Sequence, residues 1–448
     1  MTTADSSADH FDVVIIGAGP GGLAAAIVLR RAGLRALIVE PDPFPRDRLG
    51  ESLDWSSPRL LRRLGVDPED LIAAGVGTHK RGIVVQPADA HAWKAQPPDV
   101  FTRWPLKFEV MTLHVDRAGF DQRLFEVARD LGTTFIWDKV SVIEASDDRA
   151  IACVTSGGRR VTGRWFMDAS GQARLFARRF DVPRMEYGDR KVCLWTYFNT
   201  PPVAIGTTFY GDTGAPEYVT WTWEIPITRE RASVGCVMAA DKLARERQLG
   251  KKPDEVLRDE LLRYPRFHTL LAAQSHLDVR ACSYRCYVHG RASGKNWFLI
   301  GEAASLPDPL TANGVTAAFR HAQEASALIV AAHDRGRLTA GERYPYDTNV
   351  RRMGHVFNHA IETGIYEWPV RCGVGSLAAQ KIYTSFSYTI NALYSRFQPH
   401  KRLGVELFGV LLKGVWLWFE GWALVGRLGM RLRGVTAAGR AHAVDARA

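Results

Sequence analysis

A chain of 448 residues is too long for one small core and points to two or three domains. Apolar residues at 46% against 24% charged give the balance of a globular protein, and the formal charge of +10 is scattered, leaving no long basic tract for a nucleic-acid partner. The six cysteines are spread without a CxxC pair, which argues against a zinc site or a disulfide framework, and the polar stretch Met1–His10 lacks the plan of a signal peptide. No metal and a reducing, cytoplasmic location are therefore expected.

In chain order, Asp12 to Ile16 is a β-branched run, Gly17 to Gly22 interrupts it, Leu23–Ala32 reads as helix, and Arg35–Val39 reads as a second strand that ends at Glu40. The pattern is helical over Arg59–Ala74, mixed strand and loop over Ile83–Trp104, and helical again over Asp116–Leu131. Strands are expected within Thr134–Val154 and around Arg164–Phe166. Val192–Val237 alternates and is rich in aromatics and threonine, which suits an antiparallel sheet. Asp254–Ala273 reads as helix, Trp297–Gly301 as a buried strand, Val315–His333 as helix, and the chain beyond Gly341 as mostly helical. Within Gly404–Gly434, Glu406, Lys413, Glu420 and Arg427 recur every seventh residue, which puts a charged stripe on one helix face and leaves no apolar run long enough to span a bilayer. A helix packed on the body is expected there; peripheral contact with a membrane surface through that helix is the alternative.

The chemistry begins at Gly17-Ala18-Gly19-Pro20-Gly21-Gly22, a GxGxxG turn between a strand and a helix. Gly17 permits the tight bend, Gly19 lets a pyrophosphate approach the backbone, and Gly22 lets helix and strand pack closely. The helix start offers its amides to the phosphates, and Glu40 at the end of the second strand is placed for the adenosine ribose hydroxyls. A second glycine corner follows the strand Trp297–Gly301, in Glu302-Ala303-Ala304 and then Asp308 to Val315, including Asn313 and Gly314. It would serve the ribityl chain and ring of a flavin, and together with Phe44-Pro45-Arg46 leading into Gly50-Glu51-Ser52 and with Val115 to Asp121 opening a helix it selects FAD over NAD.

Further segments stand in order along the chain. They are Phe44-Pro45-Arg46 with Gly50-Glu51-Ser52, Arg117 ahead of Phe120-Asp121, Asp168-Ala169-Ser170-Gly171, and Trp221-Thr222-Trp223-Glu224-Ile225-Pro226. At these residues, from about Asp12 to about Ala327, the chain resembles the flavin-dependent halogenases and their FAD-dependent aromatic monooxygenase relatives. The resemblance implies an α/β fold (α+β overall), with a Rossmann-like FAD lobe of the aromatic-hydroxylase kind interrupted by an antiparallel substrate sheet. By residue number the FAD lobe takes 11–80, 106–185 and 280–335, the substrate lobe 81–105 and 186–279, and a helical C-terminal region 336–448.

It also implies an oxygen-activating oxidoreductase. Reduced FAD from a partner reductase would form a C4a-hydroperoxide and halogenate or hydroxylate an electron-rich aromatic, as a small molecule or within a peptide. Lys80 matches the K-x-G lysine that handles hypohalous acid; apart from the resemblance it reads as a solvated lysine between His79 and Arg81. Trp221 and Trp223 match the WxWxIP indoles that screen the path between flavin and substrate. Arg46, Ser52, Arg117, Glu302, Asn313 and Gly314 fall in the flavin-binding segments, beside Gly17, Gly19, Gly22 and Glu40. Two departures stand out: Glu302 replaces the usual aspartate, and Ala312-Asn313-Gly314 replaces a serine-glycine turn. The alternatives are a hydroxylase acting without halide on an aromatic such as peptidyl tryptophan, a lipid reductase like the geranylgeranyl reductases, and a non-catalytic flavoprotein.

Overall fold

The computed structural model describes residues 10–87, 93–95, 111–201, 206–211, 219–274 and 276–367, and further along 390, 394, 401–418, 420–421 and 424–425. Two large sheets carry the fold. The first runs Thr134–Trp137, Ala36–Glu40, His10–Ile16, Arg160–Asp168, Arg149–Thr155 and Val140–Ser146, with Trp297–Leu299 also paired along Arg160–Asp168. Its central pairs are parallel: His10–Ile16 lies between Ala36–Glu40 and Arg160–Asp168, in register from Val13↔Ala36 and from His10↔Thr162. Parallel strands covered on both faces need continuous apolar runs, and Val13, Val14, Ile15, Leu37 and Ile38 are fully buried. Helix Pro20–Arg31 packs on this sheet and meets helix Gly314–Ala331. Gly21 makes that approach possible, because a Cβ there would stand 2.8 Å from Ile300 and 3.2 Å from Ala318.

The second sheet runs Ser305–Leu306, Arg280–His289, Arg184–Asn199, Arg231–Ala239, Trp221–Pro226, Thr207–Gly211, Ile83–Pro87 and Trp93–Ala95. It is antiparallel except where Thr207–Gly211 runs parallel to Ile83–Pro87. Side chains alternate between its faces. Leu194, Cys236, Met238 and Tyr210 pack under the helices Ala240–Gln248, Pro253–Leu262 and Pro265–Ala273. Cys193, Trp195, Trp221, Trp223 and Ile225 face the opposite way, into a cavity shared with the first sheet.

Several sequence expectations shift. Arg59–Ala74 is two short helices, Ser57–Arg63 and Pro68–Ala73, parted at Gly65, whose φ of +69° ends the first. Asp254–Ala273 likewise breaks before Pro265, which cannot continue a helix without the missing N–H. The strand Arg280–His289, placed from sequence in the FAD lobe, pairs in the second sheet from Arg184↔His289 to Trp195↔Arg280. The 16-residue strand Arg184–Asn199 is long enough to take Arg231–Ala239 on one side and Arg280–His289 on the other.

In the C-terminal helix over 402–418, Val405, Phe408 and Leu412 are buried, with Phe408 and Leu412 against Met353 and Phe357 of helix Ala340–Ile361. The charged stripe does not simply face water. Glu406 pairs with Arg352 at 2.9 Å and Glu420 lies 3.8 Å from His359, while Leu403, Leu407, Val410 and Leu417 are exposed. Lys413 is exposed and Arg427 lies outside the described residues. Among the described residues no helix is long and apolar enough to cross a membrane.

Candidate active site

A cavity of about 750 Å³ lies between the two sheets and is lined by the Gly17–Glu40 corner, the Asn313–Gly314 corner, Lys80, Trp221 and Trp223. At the first corner the glycines divide their work as their surroundings dictate. Gly17 has φ +99°, and a Cβ there would lie 2.4 Å from the Ala169 carbonyl oxygen. A Cβ on Gly22 would lie 1.9 Å from the Gly17 carbonyl oxygen, so any side chain would part helix from turn. Nothing lies within 4 Å of a Cβ built on Gly19, and that open space is where a phosphate can reach the start of helix Pro20–Arg31.

Glu40 is buried and holds this corner together. It accepts from the amides of Ala18 (2.6 Å) and Asp42 (3.1 Å) and pairs with Arg46 at 2.6 Å. A carboxylate accepts about four hydrogen bonds, so one position is left for a ribose hydroxyl. Arg46 turns back into the same cluster, donating to the carbonyls of Ala18 (2.9 Å) and Asp42 (3.2 Å), while its buried Nε has no protein partner.

At the other corner, Asn313 precedes helix Gly314–Ala331, and Ala312 at φ +53° turns the chain into it. The Asn313 Oδ1 is buried without a protein partner, and a Cβ on Gly314 would meet nothing within 4 Å. Glu302 also lines the cavity; burial raises its pKa, and the nearby Arg117 guanidinium and a hydrogen bond with Gln172 oppose that. Arg117 forks onto Asp121 (3.0 and 2.8 Å) and donates to the Leu49 carbonyl (2.6 Å), bracing the Gly50 turn. A cavity lined by two open glycine corners, with an unpartnered polar atom beside each, fits a dinucleotide. Gly17, Gly19 and Gly22 would hold the ADP half, and Asn313 and Gly314 the ring end.

Lys80 is not the solvated loop residue that its basic neighbours suggest. It ends the strand Gly77–Lys80, opposite Thr112, and is only 4% exposed. Its Nζ donates to Ser52 Oγ (2.9 Å) and to the Leu53 carbonyl (3.1 Å), and lies 5.4 Å from the Trp55 ring centre. Burial pushes its pKa down to about 8, with the Asp54 carboxylate opposing the shift. Behind it runs an ordered chain of hydrogen bonds. Thr78 donates to the Pro226 carbonyl, so its oxygen accepts from His114 Nδ1 (3.4 Å), which leaves His114 Nε2 to accept from Thr207 (3.0 Å). Thr207 in turn accepts from Ser52 (3.1 Å), and Ser52 from Lys80. His114 is fully buried, and burial together with the Lys80 charge drives its pKa well below the usual histidine range, so it stays neutral. Ser52, expected among the flavin contacts, thus links Lys80 to this chain.

Trp221 and Trp223 sit two apart on their strand and share the cavity face, 5.7 Å between ring centres. Their N–H groups are tied down, Trp221 to the Tyr366 hydroxyl (2.9 Å) and Trp223 to Ser233 (3.2 Å). Across the sheet, Arg280, Trp195, Gly235, Trp223 and Phe209 stand in one register row. Gly235 is bare because Trp195 and Trp223 close over it: a Cβ there would lie 2.5 Å from each. Gly235→Ala is therefore expected to push the Trp223 ring into the cavity. The expected cost is about 1–3 kcal/mol, with a changed near-ultraviolet circular dichroism spectrum and FAD uptake retained. An unchanged spectrum and melting temperature would show that the glycine is not required. Sequence reasoning missed Gly235, Trp195, Thr207 and His114, whose roles depend on contacts far along the chain; only the alternation of the Val192–Val237 stretch hinted that Trp195 and the two indoles share a face.

The family model for tryptophan halogenases matches residues 12–97 and 84–358, most of the chain. Over 440 residues the chain is 25% identical to tryptophan 2-halogenase of Chondromyces crocatus, covering 90% of this chain and 75% of that protein. It is 26% identical to the 1H-pyrrole-2-carbonyl-[peptidyl-carrier protein] brominase of Pseudoalteromonas luteoviolacea (strain 2ta16), covering 72% and 78%. Among solved structures, flavin-dependent brominase Bmp2 superposes with a TM-score of 0.68 at 20% identity, over 90% of this chain and 98% of that one. Halogenase PltM with phloroglucinol and FAD superposes with a TM-score of 0.66 at 18% identity, over 87% and 86%. These likenesses to solved structures bear on the fold, whereas the extent of the family match bears on descent: this chain belongs to the tryptophan halogenase family and is an FAD-dependent enzyme.

Proposed function

We propose that this enzyme oxidises halide and delivers the oxidised halogen to an electron-rich aromatic ring, using reduced FAD supplied by a separate reductase. The observation that carries the reading is Lys80, an ammonium group buried in the wall of the cavity that holds both glycine corners, with Trp221 and Trp223 in the same wall. Bound and reduced FAD, with oxygen, supplies the two-electron oxidant. The chain's own residues do the rest. Gly17, Gly19, Gly22 and Glu40 hold the nucleotide end, and Asn313 and Gly314 meet the ring end. The two indoles keep water out of the path, and the Lys80 ammonium holds and polarises the oxidised halogen beside the substrate. The related tryptophan and carrier-bound pyrrole halogenases favour an indole- or pyrrole-sized ring, free or tethered, as substrate. A separate reductase is supported by the absence of a second nucleotide fingerprint in the sequence.

The test supplies purified chain with FAD, a flavin reductase, oxygen and bromide, and offers indoles, pyrroles, phenols and tryptophan peptides. The expected product carries bromine in place of one ring hydrogen and disappears when bromide is left out. A product that gains oxygen and forms equally well without bromide would replace this reading by the hydroxylase one.

A further inference from the structure

Cys193 and Cys282 stand directly opposite each other on the neighbouring antiparallel strands Arg184–Asn199 and Arg280–His289. Both line the cavity, and each thiol shifts the other, raising the pKa of Cys193 and lowering that of Cys282. Cys193 is fully buried, whereas Cys282 is partly open to the cavity. The register continues Cys282, Cys193, Val237, Trp221 across the sheet. At about 4.8 Å per strand, Cys193 lies on the order of 10 Å from Trp221 along the same wall. Of the charged groups nearby, Glu302 and Asp308 bear on the pair. The other described cysteines are differently placed: Cys153, Cys236 and Cys286 are buried and line no part of the cavity.

We infer that Cys193 and Cys282 form a resettable trap for oxidant that misses the substrate, closing to a disulfide inside the reaction cavity. The inference rests on the proposed production of hypohalous acid there. Directly opposed residues of an antiparallel pair have Cα atoms about 4.5 or 5.5 Å apart, within the span of roughly 4.4–6.8 Å that a disulfide bridges, so the backbone need not move far. Chemically, the neighbouring Cys193 thiol favours thiolate at the cavity-facing Cys282 sulfur, and burial of Cys282 opposes this. That sulfur takes halogen from hypohalous acid, an S–X bond forming as the O–X bond breaks, and the departing hydroxide takes a proton to become water. The Cys193 sulfur then attacks, the S–S bond forms, and halide leaves with the remaining proton. In sum, one hypohalous acid and two thiols give one disulfide, one hydrogen halide and one water. The halogen gains the two electrons that the two sulfurs lose. The thiol pool of a reducing compartment reopens the pair by exchange.

Two arms test this. In the first, reduced protein without FAD receives one equivalent of hypobromous acid and its peptides are weighed. The expected result is a link between the Cys193 and Cys282 peptides, lighter by two hydrogens and reversed by dithiothreitol, with Cys153, Cys236 and Cys286 still free. If Cys193 and Cys282 stay free, or end as separate sulfonates, the inference is overturned. In the second arm the enzyme turns over with FAD, reductase, oxygen and bromide but no aromatic acceptor. The same link should accumulate, and dithiothreitol should restore lost bromination in the wild type but not in Cys282→Ser. An enzyme that brominates an added acceptor yet keeps both thiols free in its absence would overturn the trap. Linkage by added oxidant in a protein that never brominates anything would retain the dithiol site and refute the proposed function instead.

Discussion

Lys80→Met is expected to abolish bromination, by at least about a hundredfold, while FAD uptake is unchanged. The size follows from taking away the charge proposed to face the oxidised halogen, in a site that Trp221 and Trp223 would keep dry. Single-turnover assays with product masses, beside a flavin-fluorescence titration, check both halves; a variant that brominates normally would remove Lys80 from the mechanism. The pH dependence follows from the same group. With its pKa near 8, the residue is mostly ammonium at pH 7, so activity should be flat below neutrality and fall as pH rises through about 8.

The stability effect runs the opposite way from the activity. The folded pKa of Lys80 lies below its ordinary 10.5, so the fold disfavours the proton. The penalty is fully present below pH 8, shrinks between 8 and 10.5, and is gone above. The shift corresponds to on the order of 3 kcal/mol, partly offset by the hydrogen bonds to Ser52 and Leu53 that methionine would forfeit. Lys80→Met should therefore melt higher than the wild type at pH 7, and the gap should narrow above pH 8 and close above pH 10.5. A lysine with only a structural role would show the reverse: a lower melting temperature on substitution.

The second large effect separates two glycines of one motif. Gly22→Ala should destabilise the protein by about 3 kcal/mol or more even without FAD, because its methyl would lie 1.9 Å from the Gly17 carbonyl oxygen and neither backbone can yield alone. Gly19→Ala should leave the melting temperature of the FAD-free protein unchanged. Its φ of −71° suits alanine, and nothing stands within 4 Å. Its methyl would instead occupy the phosphate's place, weakening FAD at least tenfold, or about 1.4 kcal/mol. Thermal melts and flavin titrations of both variants check the contrast. Normal FAD affinity in Gly19→Ala would mean that the pyrophosphate lies elsewhere.

The nucleotide corner was legible from the chain alone because all its parts are local. The strand His10–Ile16, the turn, helix Pro20–Arg31 and the strand ending at Glu40 fall within about thirty residues, and each glycine's task follows from that geometry. The indoles were legible for a similar reason, since residues two apart on a strand share a face. Lys80 was harder. Its neighbours His79 and Arg81 speak for solvent, and only the resemblance spoke for chemistry. Its burial depends on the pairing of Gly77–Lys80 with Thr112–Val115 and on Ser52, none adjacent in sequence.

Sequence by itself determined the βαβ corner and that Trp221 and Trp223 share one face of their strand, because short-range periodicity and backbone conformation decide these; the cofactor class came from the later flavin segments and the resemblance they carry. Only the tertiary structure decided that Lys80 is desolvated, that His114 and Thr207 order its hydrogen bonds, that Gly235 yields its space to two indoles, and that Cys193 meets Cys282. Each of those depends on which strands become neighbours. That choice is made by long-range burial of apolar surface, which a linear pattern of residues does not encode one pair at a time.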